Sequence, residues 1–328
     1  MRTFSLDTPA EGAAASWTTT ASTRNARAGR EAALGPDAQL ARFARDALIE
    51  EARLTPKPGL VDTRGSGAHV DLDLATMLRS AHALEPTFEA LARASRGATP
   101  GSALRTDLAR IGRAGEAAMM RATGGSNAHR GAIWIVGLLV AGATIVHVPS
   151  DDAGGHPHAM AIAETAARIA RFDDLLAPTA QPAQSNGERM RQRHNVGGAR
   201  REAQDGFPHV IRVGLPALHA ARAQGHGEAA ARVDALLAIM ASLDDTCVLH
   251  RAGLAGRDAA QAGAQRVRDA GGIATRAGRA AFDALERALL ALNASPGGAA
   301  DLLAATLFID RLVHHHHRIG GRTVSWNN

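Results

Sequence analysis

A chain of 328 residues can bury a full core, and nothing in it forces a division into two domains. Hydrophobic residues make up 45% and charged residues 21%, but aromatics are only 3% and tyrosine is absent, which argues against strand-rich folds; an alanine-rich chain of this kind reads as all-α, a single compact multi-helix domain around a buried central helix. The net charge of +5 is small and spread along the chain, unlike a nucleic-acid-binding tail, and a lone cysteine, Cys247, excludes an internal disulfide and fits a reducing, cytoplasmic setting.

Residues 1–35 are rich in Ala, Thr, Ser, Gly and Arg with no apolar signal-peptide run, so a disordered tail is expected there. Pro36 and Asp37 open an amphipathic helix carrying Leu40, Phe43, Ala44, Ala47 and Leu48 on one face, which Thr55-Pro56-Lys57-Pro58-Gly59 stops. A functional loop follows to about Val70, and it holds the only lysine of the chain, Lys57. Helices are expected at 72–94, 103–121, 129–143, 158–176, 199–204, 209–222, 228–251, 257–270, 275–292 and 299–313. The apolar run from Gly131 to Val148 carries three glycines and sits at the lower edge of membrane-spanning length, so it reads as the buried central helix. The polar stretch 177–194 reads as a mobile surface loop inside a catalytic domain of residues 36–313. Residues 314–328 read as a polar tail, in which His314 to His317 could chelate a metal but more simply form a solvated terminus.

Three glycine turns precede expected helices: Gly124-Gly125-Ser126-Asn127, Gly197-Gly198, and Ser295-Pro296-Gly297-Gly298. Unpaired amides and the positive end of the helix dipole make such starts candidate anion sites, against the alternative of ordinary turn chemistry. Glycines so early in the last helix call for a compensating close contact, with a ligand or a neighbouring helix. A second set is acidic: Asp62, then His69, Asp71 and Asp73, then Asp244-Asp245-Thr246. A carboxylate bordering an apolar helix face needs a cation beside it, so Mg²⁺ and an Arg251 ion pair or a helix cap stand as equal readings. No Walker A pattern surrounds Lys57, and Gly65-Ser66-Gly67 lacks the remaining features of a dinucleotide fingerprint. Cys247 reads as a core residue.

Six stretches in one order resemble the triphosphoribosyl-dephospho-coenzyme A synthase family, closer to its malonate decarboxylase branch than to its citrate lyase branch. They are Thr55-Pro-Lys-Pro-Gly-Leu-Val-Asp62, Gly67-Ala-His-Val-Asp-Leu-Asp73, Gly124-Gly-Ser-Asn-Ala-His-Arg-Gly-Ala-Ile-Trp134, Gly197-Gly-Ala-Arg-Arg-Glu202 with Gly206-Phe-Pro208, Leu243-Asp-Asp-Thr-Cys-Val-Leu-His-Arg251, and Asn293-Ala-Ser-Pro-Gly-Gly-Ala-Ala-Asp-Leu-Leu303. Two departures are Ala128, where the family pattern has Thr, and His194-Asn195, where it has an aromatic residue with Gly. The resemblance implies transfer of the triphosphoribosyl group of ATP to 3'-dephospho-CoA with release of adenine, making the precursor of an acyl-carrier prosthetic group. It further implies hand-over to an acyl-carrier-protein prosthetic-group transferase, no nucleic acid or membrane partner, and is compatible with a homo-oligomer.

Under that resemblance Asp62, Asp71 and Asp245 are the expected catalytic carboxylates, and Asp62, Asp73, Asp245 and Thr246 the expected Mg²⁺ ligands. Lys57, His69, Asn127, His129, Arg130, Gly197, Gly198, Arg200, Arg251, Ser295, Gly297 and Gly298 are the expected substrate-binding set. Breaking an N-glycosidic bond develops oxocarbenium character, which nearby carboxylates favour. The competing readings are a Mg²⁺-dependent N-glycoside hydrolase resembling ADP-ribosylglycohydrolases and a basic nucleic-acid module, the latter disfavoured by the scarcity of stacking aromatics.

Overall fold

The computed structural model describes residues 35–146, 155–177 and 185–320, with side chains through 315. Residues 1–34 of the expected 1–35 tail and the end of the chain from 321 lie outside them. Twelve α-helices and one π-helical turn are present among the described residues, with no strand. They are α1 (Pro36–Arg53), α2 (Leu74–Ser95), α3 (Ser102–Ala122), α4 (Arg130–Ile145), α5 (His156–Ala170), α6 (Asn186–His194), α7 (Gly198–Gln204), a π-turn (His209–Gly214), α8 (Leu215–Ala223), α9 (Glu228–Met240), α10 (Thr246–Asp269), α11 (Arg276–Ala291) and α12 (Gly297–Gly320). None of the described helices is long and apolar enough to cross a membrane.

The expected central helix is α4: eleven consecutive positions from Ala132 to Gly142, all buried except the half-buried Trp134, leave it no solvent face. It packs against α1, α2, α3, α5, α7 and α12. A second central element, α12, touches α1, α4, α5, α9, α10 and the π-turn, burying Leu303, Phe308 and Ile309. Both α4 and α12 begin at one end of the bundle, so their N-termini lie side by side; a β-carbon on Gly131 would overlap the Asp301 carboxylate.

Three expectations are corrected. The helix read as 228–251 is two helices broken at 241–245, because Asp245 leaves helical geometry to cap α10, accepting the amides of Cys247 and Val248 at 2.8 and 3.3 Å. Helical spacing ran on across the break and hid it. The stretch 177–194 is helical from Asn186; Ser185 accepts the Glu188 amide, so the Ser-x-x-Glu pattern there was an overlooked helix start. His314 and His315 continue α12 instead of beginning a tail: His314 Nδ1 donates to the Asp310 carbonyl, and the His315 ring sits 5.1 Å from Phe43.

Candidate active site

Two carboxylates stand where helices begin. The oxygens of Asp245 accept the Cys247 and Val248 amides of α10 and, across the interface, the Ala299 amide of α12 at 2.9 Å. One anion therefore serves two helix starts, and it occupies the anion position that the Ser295-Pro296-Gly297-Gly298 turn was expected to offer a phosphate. The glycines follow from this contact. A β-carbon at Gly298 would stand 3.0–3.1 Å from the Asp245 carboxylate, and one at Gly297 would stand 3.1 Å from Cys247 Sγ. The compensating contact is thus a neighbouring helix.

Asp301, one turn further along α12, sits against the start of α4 and accepts the Ala132 amide. Burial, followed by the charges of Glu51 and Asp245, holds its carboxyl well above the ordinary carboxylate range, against the pull of that amide. Burial likewise raises Asp245, opposed by the amides of Ala299, Cys247, Val248 and Gly298. Cys247, expected in the core, is instead exposed at the cleft, and desolvation followed by the charges of Asp245 and Asp301 holds its thiol well above the ordinary range.

These groups form one side of a cleft of about 400 Å³. Asn127, Arg130, Gly131 and Trp134 contribute from the start of α4, Gly187, Glu188 and Arg191 from α6, Gly198, Arg200 and Glu202 from α7, and Asp244, Asp245, Thr246, Cys247, Gly298 and Asp301 from the meeting of α10 and α12. Four guanidinium groups, Arg105, Arg130, Arg191 and Arg200, face carboxylates and hydroxyls across it. Trp134 Nε1 donates to the Ala199 carbonyl at 3.1 Å, tying α4 to α7. Arg130 pairs with Glu116, and Arg200 reaches Asp173 at 3.2 Å.

Of the residues expected from sequence, Asn127, Arg130, Gly198, Arg200, Asp245, Thr246 and Gly298 line this cleft, and the others do not. Asp62 is turned to a different task. Its oxygens accept the Lys57 and Arg64 amides at 2.9 and 2.7 Å and the Arg64 guanidinium at 2.7 Å, while Arg64 continues to Glu286 on α11 at 2.6 Å. Burial opposes ionisation of Asp62, but the Arg64 and amide hydrogen bonds outweigh it and lower the carboxyl. Asp73 is the exposed N-cap of α2, accepting the Thr76 amide at 2.7 Å. Asp71 is half exposed beside His69, whose Nε2 shares a 2.8 Å hydrogen bond with Ser295 Oγ. Burial and then Arg251 lower the pKa of His69, against Asp71.

The remaining expected binders also have internal partners. Lys57 is buried, with Nζ donating to the side chain and carbonyl of Glu51 at 2.6 and 2.7 Å. Arg251 donates to the carbonyls of Ala68 and Asn293, bolting the 55–73 loop to the turn before α12. Gly124 and Gly125, at φ 65 and 98, close the end of α3, the Gly125 amide reaching the Met120 carbonyl at 2.8 Å. Gly197 packs on the Arg201 side chain. His129 is 3% exposed; Nδ1 meets Ser80 Oγ at 2.7 Å, Nε2 has no hydrogen-bond partner, and burial followed by the Lys57 charge lowers its pKa to about 3.

Sequence reasoning gave no role to Asp301, Arg105, Arg191, Trp134 or Glu202. Asp301 carried one overlooked signal: it is a carboxylate inside the apolar run Ala299–Ile309, a place that needs a reason. The expected metal set of Asp62, Asp73, Asp245 and Thr246 does not converge. Among the described residues no group of three His, Cys, Asp or Glu side chains could hold a metal ion.

A profile described as ATP:dephospho-CoA triphosphoribosyl transferase matches residues 37–319. A Klebsiella pneumoniae protein named 2-(5''-triphosphoribosyl)-3'-dephosphocoenzyme-A synthase is 56% identical over 273 residues, 83% of this chain and 94% of that protein. An Azotobacter vinelandii protein named for the same activity is 56% identical over 270 residues, 81% of this chain and 88% of its own. A crystal structure from Archaeoglobus fulgidus, named for a triphosphoribosyl-dephospho-coA synthase, shares 23% identity with a TM-score of 0.46, covering 72% of this chain and 98% of that one.

Proposed function

The chain belongs to the ATP:dephospho-CoA triphosphoribosyl transferase family, and we propose that the cleft between α4, α6, α7, α10 and α12 is where it carries out that transfer. The reaction breaks the bond between the anomeric carbon of the ATP ribose and adenine, and joins that carbon to the 2'-oxygen of dephospho-CoA. Adenine gains a proton and the attacking hydroxyl loses one. The observation that carries the assignment is the gathering, in one cleft, of four guanidinium groups with the carboxyls of Asp244, Asp245 and Asp301, the last held well above the ordinary carboxylate range.

Asp301, kept protonated by burial and its acidic neighbours, is placed to give its proton to departing adenine. Asp245 has its oxygens occupied by backbone amides, so its part is electrostatic: a fixed negative group beneath the developing positive charge. Asp244, whose contact with Arg257 is a loose 3.4 Å, is the cleft carboxylate available to accept the proton of the acceptor hydroxyl. Arg130, Arg191 and Arg200 hold phosphates, and Asn127 and Gly198 frame the nucleotide.

Mg²⁺ belongs to the proposal as a companion of the triphosphate. It takes few protein carboxylates and keeps phosphates and waters as ligands, and hard oxygen donors at Asp244 and Thr246 suit it; a cage built from protein alone does not fit these residues. When bound it supplies charge neutralisation of the phosphates. Cytoplasmic location, supply of malonate decarboxylase, and delivery of the product to an acyl-carrier-protein prosthetic-group transferase complete the reading.

The test is a mass analysis of products from ATP, Mg²⁺ and dephospho-CoA with the wild type and with Asp301→Asn. Expected are adenine and triphosphoribosyl-dephospho-CoA in equal amounts, a loss of at least 100-fold in kcat for the variant, and removal of the high-pH decline that the wild type shows as Asp301 loses its proton. Asp301→Asn retaining full activity would sink the acid assignment. Ribose triphosphate forming equally without acceptor would favour hydrolysis.

A further inference from the structure

A second cavity, of about 230 Å³, adjoins the cleft and shares Arg105, Arg130 and Trp134 with it. Its character differs. Leu91, Leu108, Ile133 and Leu138 line it together with Gly112, and the Arg113–Asp174 ion pair at 2.6 Å stands at its rim. The shared wall is a stack: the Arg105 guanidinium lies 4.7 Å over the Trp134 ring. Arg105 makes no ion pair among the described residues, and its buried Nε has no hydrogen-bond partner. Burial accordingly lowers its pKa, with Asp174 opposing. An unpaired guanidinium at the junction of a polar and an apolar cavity calls for an anion that belongs to a ligand crossing from one to the other.

We propose that the apolar cavity is the subsite for the pantetheine arm of the acceptor, with Arg105 holding the diphosphate that joins arm to nucleoside. This deepens, and rests on, the transferase reading. The order of chemistry along dephospho-CoA is nucleoside, diphosphate, then an extended arm without charge. The order along the protein is polar cleft, then the unpaired Arg105 guanidinium beside the Glu116-paired Arg130, then the largely apolar chamber. ATP has no counterpart to the arm, so the chamber distinguishes acceptor from donor and sets which nucleotide presents its ribose hydroxyl.

Gly112 gives a direct test. It lies within α3, and a β-carbon there would meet only Ile133 Cγ2, at 3.7 Å, an ordinary contact. Gly112→Ala leaves most of the chamber open and controls for folding, whereas Gly112→Leu grows a side chain into it. Gly112→Leu is expected to raise the KM for dephospho-CoA about tenfold while the KM for ATP moves less than twofold. Free pantetheine should compete with dephospho-CoA but not with ATP in the wild type, and lose that effect in Gly112→Leu. Arg105→Gln should raise the acceptor KM by a similar factor without abolishing pantetheine competition. The subsite is overturned if wild type and Gly112→Leu share one acceptor KM, if the KM for ATP rises equally, or if pantetheine does not compete in the wild type. A wild type that makes no triphosphoribosyl-dephospho-CoA at all refutes the transferase reading itself, a result distinct from an active enzyme indifferent to Gly112→Leu.

Discussion

His129 ties the stability of this fold to pH. In the folded chain its pKa is lowered to about 3 by burial and the Lys57 charge, and in the unfolded chain it returns to 6.5. Because the folded form disfavours the proton, the contribution is fully present above 6.5 and is lost as pH falls from 6.5 toward 3. Between pH 7 and pH 5 the unfolded imidazole takes up most of a proton and the folded one almost none, which at ~1.4 kcal/mol per pH unit gives a loss of about 2 kcal/mol. Any folded value well below 5 gives the same figure. The measurement is urea unfolding of wild type and His129→Gln at both pH values, with Gln keeping an oxygen for Ser80 Oγ, its partner in the wild type at 2.7 Å. The common background of other titrating groups cancels in the comparison. The wild type should lose about 2 kcal/mol more than the variant on acidification. Equal acid sensitivity in the two proteins would refute the buried, neutral assignment of His129.

Gly131→Ala should lower adenine release at least tenfold despite the better helix propensity of Ala, because its β-carbon would displace the Asp301 carboxylate; steady-state kinetics beside a thermal melt separates the two effects. Asp62→Asn should cost about 1–3 kcal/mol of stability through the lost Arg64 charge pair while adenine release stays within threefold; a collapse of kcat in a protein of undiminished stability would restore Asp62 to the chemistry. Adenine release should stop in excess EDTA and return with Mg²⁺, and full activity in the chelator would remove the ion from the proposal.

Much of this protein was readable from the chain. Alanine content and helical spacing marked an all-α body, and the apolar run beginning at Gly131 marked α4, since an unbroken apolar helix has nowhere to go but the interior. The grouping of Asn127, Arg130, Gly198, Arg200, Asp245, Thr246 and Gly298 in one cleft involves residues legible as motifs beforehand. Their partners were not. Whether a glycine turn receives a phosphate or a neighbouring carboxylate depends on which helix arrives beside it, and Asp245 reaching Ala299 across 54 positions is invisible to local pattern. Likewise Asp62 looks the same in sequence as Asp301. Tertiary packing gave the first an arginine and two amide donors and left the second half-buried beside Glu51 and Asp245, and the environment of a carboxyl, not its identity, sets whether it binds or gives up a proton.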